Sequence, residues 1–276
     1  YYGPIDFLSK NLVLGSLYLL EENEAYIDGT IILNTDNDVS NFVNISSVQE
    51  SELNGFTFQY IHLNLWDASQ AIIHVKDASP AIINNRFKDF YLFSNMESSV
   101  IYCENSSSLI MNNEFMNGSV GNGYVLGGNI LSKSSSLTIK NNRMENGYVG
   151  FADPSGYIVS VNSNDLIESN TILNASMGYC FTCAAIAMLD GSNCIIRNNL
   201  IFQAYGDGYG AVVASESQFV SYNNTLVSNG MGYANLFSDG IISNDIIYGS
   251  NNTVYLDESS TMEVSYSDIQ GGWEGE

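Results

Sequence analysis

Positive charge is what this chain most lacks. Eight Lys and Arg stand against 30 Asp and Glu among 276 residues, a formal net charge of −22. Nucleic acid and anionic membrane surfaces both require clustered Lys and Arg, so neither is an expected partner. Proline is scarcer still, at three residues, and no Ser/Pro-rich linker divides the sequence. No apolar run approaches the roughly 18 residues of a membrane span, and no signal-peptide pattern opens the chain. From Tyr1 to Glu276 it reads as a single domain, a mature or excised piece of something longer. Histidine is limited to His62 and His74, and neither sits in a motif.

What the chain does have is a repeat. Each copy closes on an Asn-Asn or Ser-Asn pair: Asn84-Asn85, Asn112-Asn113, Asn141-Asn142, Ser169-Asn170, Asn198-Asn199 and Asn223-Asn224. Between the second residues the intervals are 28, 29, 28, 29 and 25. A period in this range marks a solenoid. Three positions before the second residue stand Ile82, Ile110, Ile139, Ile167, Ile196 and Ser221; two after it stand Phe87, Phe115, Met144, Ile172, Ile201 and Leu226. Twelve before it stand Ile73, Ile101, Ile130, Ile158, Ala187 and Val212. These columns are apolar and mostly β-branched or aromatic, in short runs of period 2.

Each repeat therefore predicts one turn of a coil whose strands stack in parallel on the next turn, about 4.8 Å away. Like side chains fall on like side chains, and the paired asparagines form a ladder at one corner. Fainter copies flank the clear ones at Gly29 to Asn34, Phe42 to Ile45, Leu53 to Tyr60, Ile241 to Ile247 and Met262 to Ile269. The expected fold is an all-β parallel β-helix of nine to ten coils, a rod of roughly 45 Å.

The Ile-x-Asn-Asn-x-Phe/Ile units and the closing Tyr266-Ser267-Asp268-Ile269-Gln270-Gly271-Gly272-Trp273 resemble secreted bacterial right-handed parallel β-helix repeat proteins, the pectate-lyase-like superfamily in its widest sense. The opening Tyr2-Gly3-Pro4-Ile5-Asp6-Phe7 to Ser16-Leu17-Tyr18 is similar to their first coils. The resemblance implies a right-handed β-helix and an extracellular or cell-surface setting in bacteria. It does not select an activity, because this fold hosts lyases, hydrolases, epimerases, adhesins and inert stalks.

The few cations fall in columns. Arg86, Glu114 and Arg143 share one repeat position, as do Lys140, Glu168 and Arg197, and Lys76, Glu104 and Lys133. Each Glu lies between cations one turn away, which predicts outward charge ladders worth about 0.2–1 kcal/mol a pair. Lyases and epimerases of polyuronates need Lys or Arg to hold carboxylates and abstract a proton. With those residues spent, cleavage of a polyanion is disfavoured, and such a polymer would be repelled unless calcium intervened.

Other candidates carry less. Asn34-Thr35-Asp36 resembles one polygalacturonase motif, but the chain has no Asp-Asp, Gly-His-Gly or Arg-x-Lys to complete it, so it reads as a turn. Asp36 with Asp38, or Asp257 with Glu258, offers oxygen ligands for calcium without the spacing of a dedicated loop. The alternative is that excess acid keeps a rod soluble and blocks end-to-end stacking. Cys103 falls in an inward column, and Cys194 begins a strand three turns away. Cys180 and Cys183 form a C-x-x-C that suits a local disulfide or, alternatively, free thiols; one such pair does not specify zinc. Gly206-Asp207-Gly208 resembles a phosphate loop only superficially, with no following helix and no nearby Lys.

Six to eleven residues beyond the ladder Asn a Gly-Tyr recurs, giving Tyr124, Tyr148, Tyr179, Tyr209 and Tyr233, with Phe90, Tyr91 and Phe93 in the first clear turn. Loops leaving the coil on one side would set these rings as a comb, suited to the apolar faces of neutral sugars; packed on one another they would merely shield the coil. An outward column of His74, Tyr102, Leu131, Val159, Met188 and Val213 is apolar, and is either a contact surface or covered by a loop.

Three functions follow: a non-catalytic extracellular module of a bacterial surface protein that binds glycan, adheres or spaces; a glycoside hydrolase acting on a neutral polysaccharide through paired carboxylates; or a structural rod that associates with its own kind or with other modules of a parent protein. The first leads, because no catalytic motif completes itself.

Overall fold

The computed structural model describes residues 4–33, 39–64, 66, 68–121, 126–150, 155–178, 182–206 and 209–273. One coil shows the plan. A long strand, Gln70–Lys76, is followed by Ala81–Ile83, Arg86–Lys88 and Tyr91–Phe93, and the next coil repeats the four as Ser98–Glu104, Leu109–Met111, Glu114–Met116 and Ser119–Val120. Equivalent strands pair in parallel along the rod. They make sheets S1, S2 and S3 of ten strands each and a shorter S4 of six. This is a parallel β-helix, with ten strands stacked along each of its three long sheets.

The corners explain the composition. Between S1 and S2 the left-handed backbone falls on Asp77, Asn105, Ser134 and Asn162; between S2 and S3 on Asn84, Asn112, Asn141, Ser169, Asn198, Asn223 and Asn244; between S3 and S4 on Tyr60, Asp89, Asn117, Asn146, Asn174, Gln203 and Ser228. Asn, Asp and Ser accept this conformation because their short side chains bond locally. The first residue of each Asn pair thus turns the chain and the second builds the ladder.

In that ladder the Asn113 carboxamide oxygen accepts from both the backbone N–H and the side-chain amide of Asn85, at 3.0 and 3.1 Å. The pattern passes through Asn142, Asn170, Asn199 and Asn224, and ends where Asn224 N–H meets Asp245 Oδ1 at 2.7 Å. A second ladder, of serines, runs up the S1–S2 corner. Ser106 N–H donates to Ser135 Oγ, Ser135 to Ser163, Ser163 to Ser192, Ser217 to Ser238 and Ser238 to Ser260. Backbone groups at a buried corner that no strand can satisfy are met this way.

Inside, Phe58, Phe87 and Phe115 stack face to face at 5.1 and 4.9 Å, and their column continues in register as Met144, Ile172, Ile201, Leu226 and Ile247. Each such buried side chain contributes roughly 1.5–3 kcal/mol. Two short helices, Tyr18–Glu21 and Ala25–Gly29, stand where the first coil would turn from S2 into S3. They are tied to the rod by Arg86, whose guanidinium meets Glu24, Asp28 and Glu114 at 3.1, 2.7 and 3.0 Å, and by Lys88 on Asp28 at 2.9 Å.

Some expected positions shift. In the long strand Ala184–Leu189, Ile158 pairs with Ile186 and Val159 with Ala187. Ala187 therefore points outward and Met188 joins the central core, the reverse of the periodic reading. The cause is the turn at Asp190 and Gly191, both left-handed, which lengthens this corner. The outward apolar column is covered: Tyr102, Leu131, Val159 and Val213 are buried in a second cluster against which Leu126, Tyr209, Met231 and Leu236 pack. Ser221, expected among apolar residues, meets the Tyr233 hydroxyl and the Asp245 carboxylate inside the coil. Two cations depart from their expected ladders, Lys133 bonding Glu97 and Arg143 bonding Glu145, while Lys76–Glu104, Lys140–Glu168 and Arg197–Glu168 form at 3.2, 3.2 and 3.0 Å. Among the described residues no helix is long and apolar enough to cross a membrane.

A candidate glycan-binding groove on the S3–S4 corner

A groove of about 730 Å³ runs along the corner between S3 and S4. Two columns line it. The corner column is Tyr60, Asp89, Asn117, Asn146 and Asn174, all left-handed, a conformation that turns their side chains away from the strands. The second is the outward position of S4, where His62, Tyr91, Ser119, Tyr148 and Ser176 line the groove in unbroken register and Tyr205 continues the column in the next coil. Phe90 forms a buried floor directly under Gly118, where any Cβ would overlap its ring.

The rings are accessible: Tyr60 is 58% exposed, Tyr91 41%, Tyr148 37% and Tyr205 47%. Tyr148 lies down along the rod. A Cβ on Gly150 would stand 3.1 Å from its ring and one on Gly178, in the next coil, 2.8 Å from its hydroxyl oxygen. Glycine at both positions leaves the backbone bare for that ring to cross. Tyr91 is held by Phe93, stacked at 6.3 Å, and by the edge of His62 at 6.1 Å.

In the corner column Asn117 donates to Asp89 at 3.4 Å and Asn174 to Asn146 at 2.9 Å. Among the described residues this leaves the Asn117 carboxamide oxygen and the Asn146 amide nitrogen without protein partners. Asp89 is the one carboxylate in the lining, and Gln59 donates to it at 3.3 Å. Apolar ring faces beside a row of amide donors and acceptors match the two kinds of surface that a sugar presents.

The expected comb is thereby revised. Tyr148 is in the groove. Tyr233 is not: it lies within the long strand Met231–Leu236, fully buried, stacked on Phe219 at 5.7 Å and donating to Asp245 at 2.6 Å. Tyr209 is half-buried against the second apolar cluster and stacks with Tyr255 at 6.0 Å. Tyr124 and Tyr179 lie outside the described residues, as do Asp36, Asp38 and Cys180. A window of six to eleven residues past the ladder was too wide, crossing from S4 into S1. The sharper signal is a fixed offset of six: Asn85 to Tyr91, Asn113 to Ser119, Asn142 to Tyr148, Asn170 to Ser176 and Asn199 to Tyr205. That rule finds Tyr205, which the Gly-Tyr pattern missed.

Two buried carboxylates stand inside the coil, away from the groove. Burial pushes the Asp165 carboxyl up to about 6 although Ser160 and the Leu137 N–H bond it. Asp245 is likewise raised by burial. Both are bracing groups of the core. Asp257 spends its oxygens on Phe237 N–H, Ser259 N–H and Ser260, and the Ser260 hydroxyl above all lowers its pKa. Among the described residues no cluster of three or more His, Cys, Asp or Glu is arranged to hold a metal. Cys183 is disulfide-bonded, while Cys103 and Cys194 are free and buried. Elsewhere Glu216 and Asp239 line a polar depression of about 230 Å³ beside Phe237.

Residues 16–241 match the family described as right handed beta helix region. The chain belongs to that family. No curated protein sequence matches it. Among solved structures, the catalytic domain of a GH87 alpha-1,3-glucanase in complex with tetrasaccharides is similar over 96% of this chain, at 10% identity and a TM-score of 0.45; the chain spans 64% of that one.

Proposed function

We propose that this chain is a non-catalytic, extracellular β-helix module of a bacterial surface protein, from the pectate-lyase-like branch of β-helices, and that it binds a neutral polysaccharide along the S3–S4 groove. One observation carries the reading: Tyr91, Tyr148 and Tyr205 stand exposed in one register column beside a row of corner amides. The single lining carboxylate, Asp89, supports binding over hydrolysis there, since glycoside hydrolysis canonically uses two. The net charge of −22 favours an uncharged polymer.

The test is retention by a panel of immobilised polysaccharides, neutral and acidic, with reducing-end release followed in parallel, with and without calcium. Retention by a neutral polymer that Tyr148→Ala weakens, without release of ends, is the expected result. Absence of retention across the panel overturns the reading and leaves a self-associating rod. A second reading, hydrolysis of a neutral glycan, is favoured by Glu216 and Asp239 sharing one depression; it requires ends to be released and Glu216→Gln to abolish their release.

A further inference from the structure

Resting on the glycan-binding reading above, we infer that the groove takes an extended, two-fold, β-1,4-linked chain of neutral pyranoses lying parallel to the rod axis, and reads it in disaccharide steps. The S4 column does not present a ring on every coil. From Tyr91 onward it alternates Tyr, Ser, Tyr, Ser, Tyr through Tyr91, Ser119, Tyr148, Ser176 and Tyr205, each residue paired in register with the next. Neighbouring coils are about 4.8 Å apart, so the rings recur roughly every 9.6 Å.

That spacing is a chemical constraint. An extended β-1,4-linked pyranose chain advances by close to one strand spacing per sugar. Successive sugars are turned over by the two-fold screw, so every second sugar offers the same face and the same hydroxyl edge to a flat surface. A tyrosine on every second rung meets that repeated face, and the serine between leaves room for the sugar turned the other way. Tyr148 reaches along the rod, its Cε1 beside Gly150 and its hydroxyl toward Gly178 in the next coil. The corner column supplies an amide or carboxylate on every rung from Asp89 to Asn174, enough to meet both edges in turn. A coiled α-linked chain curves away from a straight column and would touch one ring at a time.

The experiment is calorimetric titration of the whole chain with β-1,4-linked gluco-oligosaccharides of three to six sugars, and with the α-1,4-linked hexamer. Two rings are spanned by three sugars and three rings by five. Affinity should therefore be level from three to four sugars, step up at five by about 2- to 10-fold, the value of one more aromatic contact, and be level again at six. Tyr148→Ala should remove the step, and Ser119→Tyr, which fills an intervening rung, should weaken the pentamer.

A smooth gain with every added sugar, or equal binding of the α-linked hexamer, overturns the disaccharide register while leaving glycan binding intact. Failure of all the oligomers to bind, when an immobilised polysaccharide still retains the protein, overturns the β-1,4 assignment alone. Failure of retention as well removes the parent reading.

Discussion

Asn142 gives both its backbone N–H and its side-chain amide to the single carboxamide oxygen of Asn170, at 2.9 and 3.0 Å. Asn170 in turn donates to the Ile139 carbonyl at 2.9 Å. One side chain thus satisfies three buried groups belonging to its neighbours. Asn170→Ala should cost more than about 3 kcal/mol, because each orphaned buried group costs roughly 1–3 kcal/mol. Ser169→Gly, at the adjoining left-handed position, should change stability by less than about 1 kcal/mol. Urea unfolding of the two variants checks the contrast; equal losses would contradict the division of labour within the pair.

Stability should peak in mild acid. Asp165 has a folded-state pKa of about 6 against an ordinary 3.8, so its contribution is fully present below the ordinary value and is lost as pH rises through about 6. Asp28, Glu168 and Asp257 are shifted the other way, chiefly by Lys88, Arg197 and Ser260. Their contributions are present above the ordinary carboxylate values and vanish as pH falls through their lowered ones. The thermal midpoint should therefore be highest at about pH 4 to 4.5, where the lowered carboxylates are ionised and Asp165 is still protonated, and should fall as pH rises toward about 6. Asp165→Asn should flatten the decline between about pH 4.5 and 6.5, and an unchanged slope would show that Asp165 does not produce it.

Cys103 and Cys194 should resist thiol reagents in the native protein. Burial pushes both thiols up to about 12 and leaves them without solvent access, so almost no thiolate is presented at neutral pH. Mass-resolved alkylation should label these two positions only after denaturation. Rapid native labelling of either would mean that its coil opens.

Removing Arg86 should loosen the two short helices before it loosens the rod. Its side chain joins Glu24 and Asp28 of that segment to Glu114 of the coil stack. Arg86→Met leaves Glu24 and Glu114 without their cation and Asp28 with Lys88 alone. Proteolysis within residues 18–29 should accelerate, most of all at low salt, while the main unfolding transition moves little.

The coil and its Asn corner were legible because stacking makes the sequence repeat wherever the structure does. The serine ladder was legible too, at a constant seven residues before each corner Asn: Ser106 before Asn113, Ser135 before Asn142, Ser163 before Asn170, Ser192 before Asn199 and Ser217 before Asn224. Serine is common on any polar surface, so that column carries little contrast. Tyr233 misled because a Gly-Tyr dipeptide serves different corners: at Tyr148 the glycine ends a turn before S4, whereas Gly232 and Tyr233 both lie inside an S1 strand. The outward fate of Ala187 depended on one added residue in a turn, a change that flips every side chain of a strand.

Because the strands of S1, S2 and S3 continue from coil to coil, the rod can be shortened or lengthened by whole coils without disturbing its corners. The ring column has a different period. Excising residues 143–170 would rejoin equivalent positions, Asn142 to Thr171, yet bring Ser119 beside Ser176 and put the column out of phase. Length in this molecule is therefore counted in single coils by the scaffold and in pairs by the ring column, so only an even change in coil number keeps both in step.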